Sequence, residues 1–340
     1  MNGYERIHAA LRGEWPDGVP VMLHNFMMAA RENGVSMGRF RRDGRAIAES
    51  FIRAVETYGY DGIVVDIDTT VLAGAVGVPV DYPDDRPARC RGRLLGSLEA
   101  VKGLEPVNIE NDASVQAALE AVSRLRGYFH KEISVRGNCD QCPFSLAGSI
   151  RSLEEWMMDL AVGDPEFIHA LLEYCTSVTS RFLDLMSRAG ADILSNGDSP
   201  AGPEMISPSM YRKFAFPYEK RIAAGAGDLQ IPYVLHICGN TDLIIGDMAG
   251  AGADGLEVDQ RTDVDLAKTA MGGRVAFIGN IDPSGVLALG TAETVIRKTR
   301  ELLNAFEDTP RFILNAGCAI PAETPPENLR AMIRTARDFR

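Results

Sequence analysis

Short apolar runs recur along this chain, each breaking off at polar residues and most followed by a stretch with helical spacing. The run at 19–23 ends at His24 and Asn25, that at 63–65 at Asp66 and Asp68, and that at 133–135 at Arg136 and Asn138. Those at 191–194, 232–235 and 255–256 lead to Asn196 and Asp198, to His236 and Cys238, and to Glu257 and Asp259. Two more, at 275–278 and 311–314, end at Asn280 with Asp282 and at Asn315 with Cys318. Runs of this length bounded by turn-forming residues read as buried strands. The segments between them read as amphipathic helices, for example over 152–160, 166–188 and 291–306. In the second, Phe167, Leu171, Leu172, Val178, Phe182, Leu185 and Met186 recur at helical spacing.

Strands alternating with helices pair in parallel, and eight of them predict closure into an α/β fold, a (β/α)8 TIM barrel. A doubly wound open sheet is the alternative, but no Gly-x-Gly-x-x-Gly turn follows the first strand. A helix over 4–11 precedes that strand and is expected as an N-terminal extension closing the barrel's bottom. No Pro/Ser-rich linker, low-complexity tract or charge block divides the sequence, so 1–340 reads as one domain.

On such a barrel, active sites lie at the C-terminal ends of the strands. His236 and Cys238 are one residue apart, so on a strand both side chains point the same way. Cys318 would join them from the last strand. Taken singly, a buried cysteine or a satisfied core histidine is the commoner reading. Together, imidazole and thiolate are ligands that Zn²⁺ prefers, and three of them leave a fourth tetrahedral position for substrate. His24, Asn25, Asn196 and Asn280 stand at other strand ends as candidate substrate contacts, with turn capping the plainer alternative. His8, His130 and His169 fall in helices or before a strand and read as surface or packing residues.

Composition narrows the setting. With 46% hydrophobic residues and a mean hydropathy of −0.06, the chain has the profile of a soluble globular protein. A formal charge of −12 argues against nucleic acid or an anionic membrane as partner. The charged start of the chain lacks a signal-peptide core, and no apolar run is long enough to span a bilayer. The expected compartment is therefore the cytoplasm. Six cysteines in so large a chain then favour reduced thiols, metal ligation or catalysis over a disulfide framework.

Several motifs resemble the uroporphyrinogen decarboxylase superfamily along nearly the full length. They are Tyr4-Glu-Arg6 with Asp17-Gly-Val-Pro20, Cys142-Pro-Phe-Ser-Leu-Ala147, Ile206-Ser-Pro208 and Leu235-His-Ile-Cys-Gly-Asn240. Gly279-Asn-Ile-Asp-Pro283, Gly317-Cys-Ala-Ile-Pro321 and Thr324-Pro-Pro-Glu-Asn-Leu329 complete the set. Within the superfamily the chain resembles in particular the zinc-dependent methylcobamide:coenzyme M methyltransferase branch. The decarboxylases' Arg-Gln-Ala-Gly-Arg segment, which clamps propionates, is replaced here by Asn25-Phe-Met-Met-Ala-Ala-Arg31. An apolar Phe-Met-Met stretch would leave a polycarboxylate poorly compensated.

The resemblance implies an enzyme that moves a methyl group between a corrinoid and a small thiol or other donor or acceptor. His236, Cys238 and Cys318 would hold Zn²⁺, which keeps a bound thiol as a thiolate nucleophile. Asp68, nine residues before Gly77, falls at the decarboxylases' catalytic Asp, and Asp198 at a family Asp-Ser; both are catalytic candidates with capping as the alternative. Cys139 and Cys142 depart from the pattern and are expected to line the pocket without redox function. No His has Asp two residues before it, so the Asp-x-His-x-x-Gly corrinoid signature is missing. The methylcobamide would arrive on a separate corrinoid protein that docks transiently; a homodimer is a further assembly to consider. Three alternatives stay open: a lyase using Asp68 on another carboxylated substrate, a non-catalytic zinc-holding partner of a corrinoid protein, and the first methyltransferase of a demethylase system.

Overall fold

A computed structural model describes residues 1–339. Eight strands form one parallel sheet in sequence order: β1 Met22–Leu23, β2 Gly62–Val65, β3 Ser134–Gln141, β4 Ile193–Gly197, β5 Tyr233–Ile237, β6 Gly255–Val258, β7 Ala276–Ile281 and β8 Phe312–Ala316. A parallel bridge between Val21 and Leu314, and the Leu314 N–H donating to the Pro20 carbonyl at 2.9 Å, join the last strand to the first. All eight strands lie where the apolar runs predicted them, in a (β/α)8 barrel.

The bottom of the barrel is dry. Met22, Val64, Ile193, Val234, Ala276, Ile278 and Ile313 point inward from six strands and pack on Ile7, Ala10 and Leu11 of the helix Gly3–Arg12. That helix starts on a capping box in which Asn2 and Glu5 bond each other's backbone N–H, and it ends at Gly13 in the left-handed conformation. It comes close to β2 at Gly62, where a Cβ would stand 2.4 Å from Ile7 Cδ1. Burying a side chain such as Ile7 contributes about 1.5–3 kcal/mol. Ridding this end of water leaves the other end for chemistry.

The three helices expected from periodicity run Leu153–Val162, Pro165–Ala189 and Ala292–Ala305. Two features depart from the sequence reading. β3 continues to Gln141, beyond the predicted 133–135, with an irregular register between Asn138 and Gln141 and Asp140 at φ 58°. A small antiparallel ribbon also pairs Val80–Asp81 with Arg89–Cys90. No helix among the described residues is long and apolar enough to cross a membrane.

Candidate metal centre

Strand alternation carries the inward face of the dry layer up to the barrel mouth. Two residues beyond Val234, Ile313, Val64, Met22 and Ile278 come His236, Asn315, Asp66, His24 and Asn280, on the same face. The apolar floor thus becomes a polar layer within a single step of two residues.

Glu257 of β6 organises that layer. Its carboxylate pairs with Arg136 Nη2 at 2.5 Å and accepts from Asn315 Nδ2 at 3.0 Å, while its main-chain carbonyl accepts from His236 Nδ1 at 2.9 Å. Burial would raise the Glu257 carboxyl, but Arg136, His236 and His24 together hold it below the ordinary carboxylate range. With Nδ1–H committed to a carbonyl, the His236 lone pair is on Nε2, the tautomer a metal ligand needs.

His236 Nε2 stands 2.9 Å from Cys238 Sγ, which is 3.5 Å from Cys318 Sγ, and the three donor atoms lie within 4.8 Å of one another. Tetrahedral Zn²⁺ with ordinary bond lengths separates two sulfurs by about 3.8 Å and nitrogen from sulfur by about 3.5 Å. To meet that geometry the His236–Cys238 gap would open by about 0.6 Å and the Cys238–Cys318 gap by about 0.3 Å, and an imidazole with two sulfurs is a donor set that fits the ion. Within the trio itself, the Cys318 thiol donates to Cys238, which with His236 outweighs burial and pulls Cys238 down to about 3. The same bond pushes Cys318 well up. Burial would lower His236, but the adjacent thiolate raises it to about 10. A divalent cation entering here would therefore displace protons from both.

The other candidate residues divide. His24 and Asn280 share the inner face with the trio; Asn280 Nδ2 donates to the Asp259 carbonyl at 3.2 Å. Asp68 is buried and occupied: Oδ2 accepts from Arg41 Nε at 2.7 Å and from Ala88 N–H at 2.8 Å. Burial raises its carboxyl even against these bonds. Arg41 also donates to the carbonyls of Pro83 and Arg86, so Asp68 anchors the segment between them.

Asn196, Asp198 and Asn25 are not brought into the mouth. Asn196 is out of phase with inward-facing Ile193; it donates to the Cys139 carbonyl at 2.6 Å and accepts from the Tyr233 hydroxyl at 3.2 Å, behind the strands. Asp198 is fully buried against Ser145 N–H and Oγ, with Glu219 beside it. Burial raises Asp198 to about 6 and Glu219 well above the usual range. Asn25 is buried beside the Tyr60 hydroxyl. Cys139 and Cys142 are fully buried and free, with Cys142 leading the helix Pro143–Arg151 and its sulfur 3.6 Å from the Tyr233 hydroxyl. That region lies behind the wall, away from the pocket lining expected of them.

Sequence reasoning passed over Glu257, Arg136, Arg41 and Glu219 as site or supporting residues. Position at a strand end flagged Glu257 and Arg136, but no motif marks a buried ion pair formed across the barrel. On the mouth side, a cleft of about 550 Å³ opens between the segments following β1, β2 and β8, lined by Met27, Arg31, Met37, Arg86 and Pro321 among others.

The profile of the uroporphyrinogen decarboxylase (URO-D) family matches residues 2–339. The chain belongs to this family. It is 30% identical over 342 residues to the methylcobamide:CoM methyltransferase MtbA of Methanosarcina acetivorans, covering 99% of this chain and 98% of that one. The MtbA of Methanosarcina mazei is 31% identical over 344 residues, with the same coverage. A solved methyltransferase from Methanosarcina mazei superposes with a TM-score of 0.91 over 100% of this chain and 99% of its own, at 24% identity. That last likeness speaks for the fold.

Proposed function

We propose that this URO-D family member is a zinc-dependent methyltransferase that moves a methyl group between a corrinoid on a separate protein and a small thiol. The observation that carries the reading is the His236–Cys238–Cys318 trio, with its tautomer set by Glu257, at the mouth of the barrel. Relatives about 30% identical over their whole length bear the name methylcobamide:CoM methyltransferase, which is the same chemistry.

His236 Nε2 and the two sulfurs would hold the ion. Bound there, Zn²⁺ keeps a coordinated thiol deprotonated at neutral pH, supplying the nucleophile. Two thiolates and one imidazole make the protein's ligand set dianionic, which balances the ion and keeps an added sulfur electron-rich. The protein's part is orientation. Glu257 fixes the imidazole plane, the Cys238 N–H bonds Ser199 Oγ at 3.3 Å, and the apolar floor keeps water from below. Asp68, through Arg41, keeps the 83–86 segment at the rim of the cleft, and Asn280 offers its amide to a substrate on the inner face.

The test is spectroscopic. Zinc-loaded protein mixed with methylcobalamin and coenzyme M should convert the methylcobalamin spectrum to that of demethylated cobalamin, and metal-free protein should not. Uroporphyrinogen should give no carbon dioxide. Decarboxylation without zinc, and no change in cobalamin with any thiol, would replace this reading with a lyase.

A further inference from the structure

His24 has an arrangement that metal binding does not use. Its Nε2 lies 2.7 Å from Asp66 Oδ2, so the ring donates there and carries its lone pair on Nδ1. Nδ1 faces Glu257 Oε1 at 3.9 Å, too far for a hydrogen bond, and has no bonded partner among the described residues. The ring is held in place from several sides. The His24 N–H donates to Asn315 Oδ1 at 3.3 Å, its carbonyl accepts from Ile320 N–H at 2.8 Å, and the ring stacks on Phe26 with centroids 5.6 Å apart. Ile320 is two residues beyond Cys318, and Glu257 is the residue whose carbonyl holds His236. His24 therefore opens onto the same mouth as the trio.

A histidine with one nitrogen anchored on a carboxylate and the other bare is arranged to accept a proton. The ring lies between the carboxylates of Asp66 and Glu257. We propose that His24, positioned by Asp66, is the base that takes the proton from the acceptor thiol as it enters the mouth. This rests on the thiol-acceptor reading above. The S–H bond breaks, its electron pair stays on sulfur, and the proton forms an N–H bond at Nδ1. It then passes to water, which the 13% exposed side chain can reach. Because only a few per cent of an ordinary thiol is ionised at pH 7, almost every productive encounter needs this transfer.

Cobalt(II)-loaded protein gives a readout separate from turnover, since a thiolate bound to cobalt adds a visible charge-transfer band. In weakly buffered solution at pH 7, rapid mixing with coenzyme M should produce the band together with a proton seen by an indicator dye. His24→Asn should keep its metal content and final band height but form both signals at least about tenfold more slowly, with added imidazole restoring the rate. Asp66→Asn, which leaves the imidazole in place without its anchor, should show a smaller slowing and no imidazole rescue; it carries the test if His24→Asn does not fold. Band and proton appearing at the wild-type rate in either soluble variant would overturn the role of His24 or of its anchor, while leaving the thiol reading intact. No band from wild-type protein with any thiol would overturn the thiol reading, and the base with it.

Discussion

Glu257 bonds His236 through its main chain and Arg136 through its side chain, so one residue links the candidate ligand to an ion pair buried on the inner wall. Because the bond to His236 is a backbone bond, the two roles separate by mutation. Glu257→Gln should leave Arg136 as a buried, unmatched charge and lower stability by about 3–5 kcal/mol in urea titration. Zinc content should stay near that of wild type. Lost zinc at unchanged stability would mean that the carboxylate itself ligates the ion.

Zinc should be present at about one per chain and depend on Cys318. Elemental analysis of Cys318→Ser is expected to fall well below that value, while Cys139→Ser and Cys142→Ser, altered behind the barrel wall, should match wild type. The opposite pattern would move the site to the C-x-x-C pair.

Asp68→Asn should lower the melting temperature, because it strips the buried Arg41 of its counter-charge, and should expose the 83–88 segment to limited proteolysis. Methyl transfer should fall about tenfold as the rim loosens. A lowered melting temperature with unchanged kcat would make Asp68 a structural tie and nothing more.

The Asp198–Glu219 pair predicts a pH slope. Both carboxyls are raised by burial, Asp198 to about 6. A carboxyl whose folded pKa lies above its unfolded value holds its proton more firmly when folded, so its favourable contribution is full near pH 4 or below and is lost as pH rises toward and through the folded value. Asp198→Asn cannot ionise. Its urea midpoint relative to wild type should therefore improve from pH 4 to pH 7, with most of the change by pH 6. A difference that stays flat with pH would show the pair to be unperturbed.

Much of the fold and part of the candidate site are legible in the residues themselves. The eight runs became eight strands because a parallel strand buried on both faces must be apolar along its length, and such runs stand out in any sequence. His236, Cys238 and Cys318 were legible because few residue types make this ligand set. Asn196 and Asp198 were flagged by the same rule of position and turned out to face the helices. The rule finds strand ends but not the phase of alternation, and that phase depends on which residues fill the floor. Val234 inward sends His236 inward; Ile193 inward sends Asn196 out.

The order of elements, the barrel and the candidate donor trio can be read from the residues alone, since each rests on local pattern or on the chemistry of single side chains. Which polar residues meet is set by the closed barrel. Arg136 and Glu257 are 121 positions apart, Asp68 and Arg41 belong to different segments, and Asp66 reaches His24 from the neighbouring strand. Such pairs leave no periodic trace, because closure of the barrel brings their partners together and no local preference encodes the distance between them.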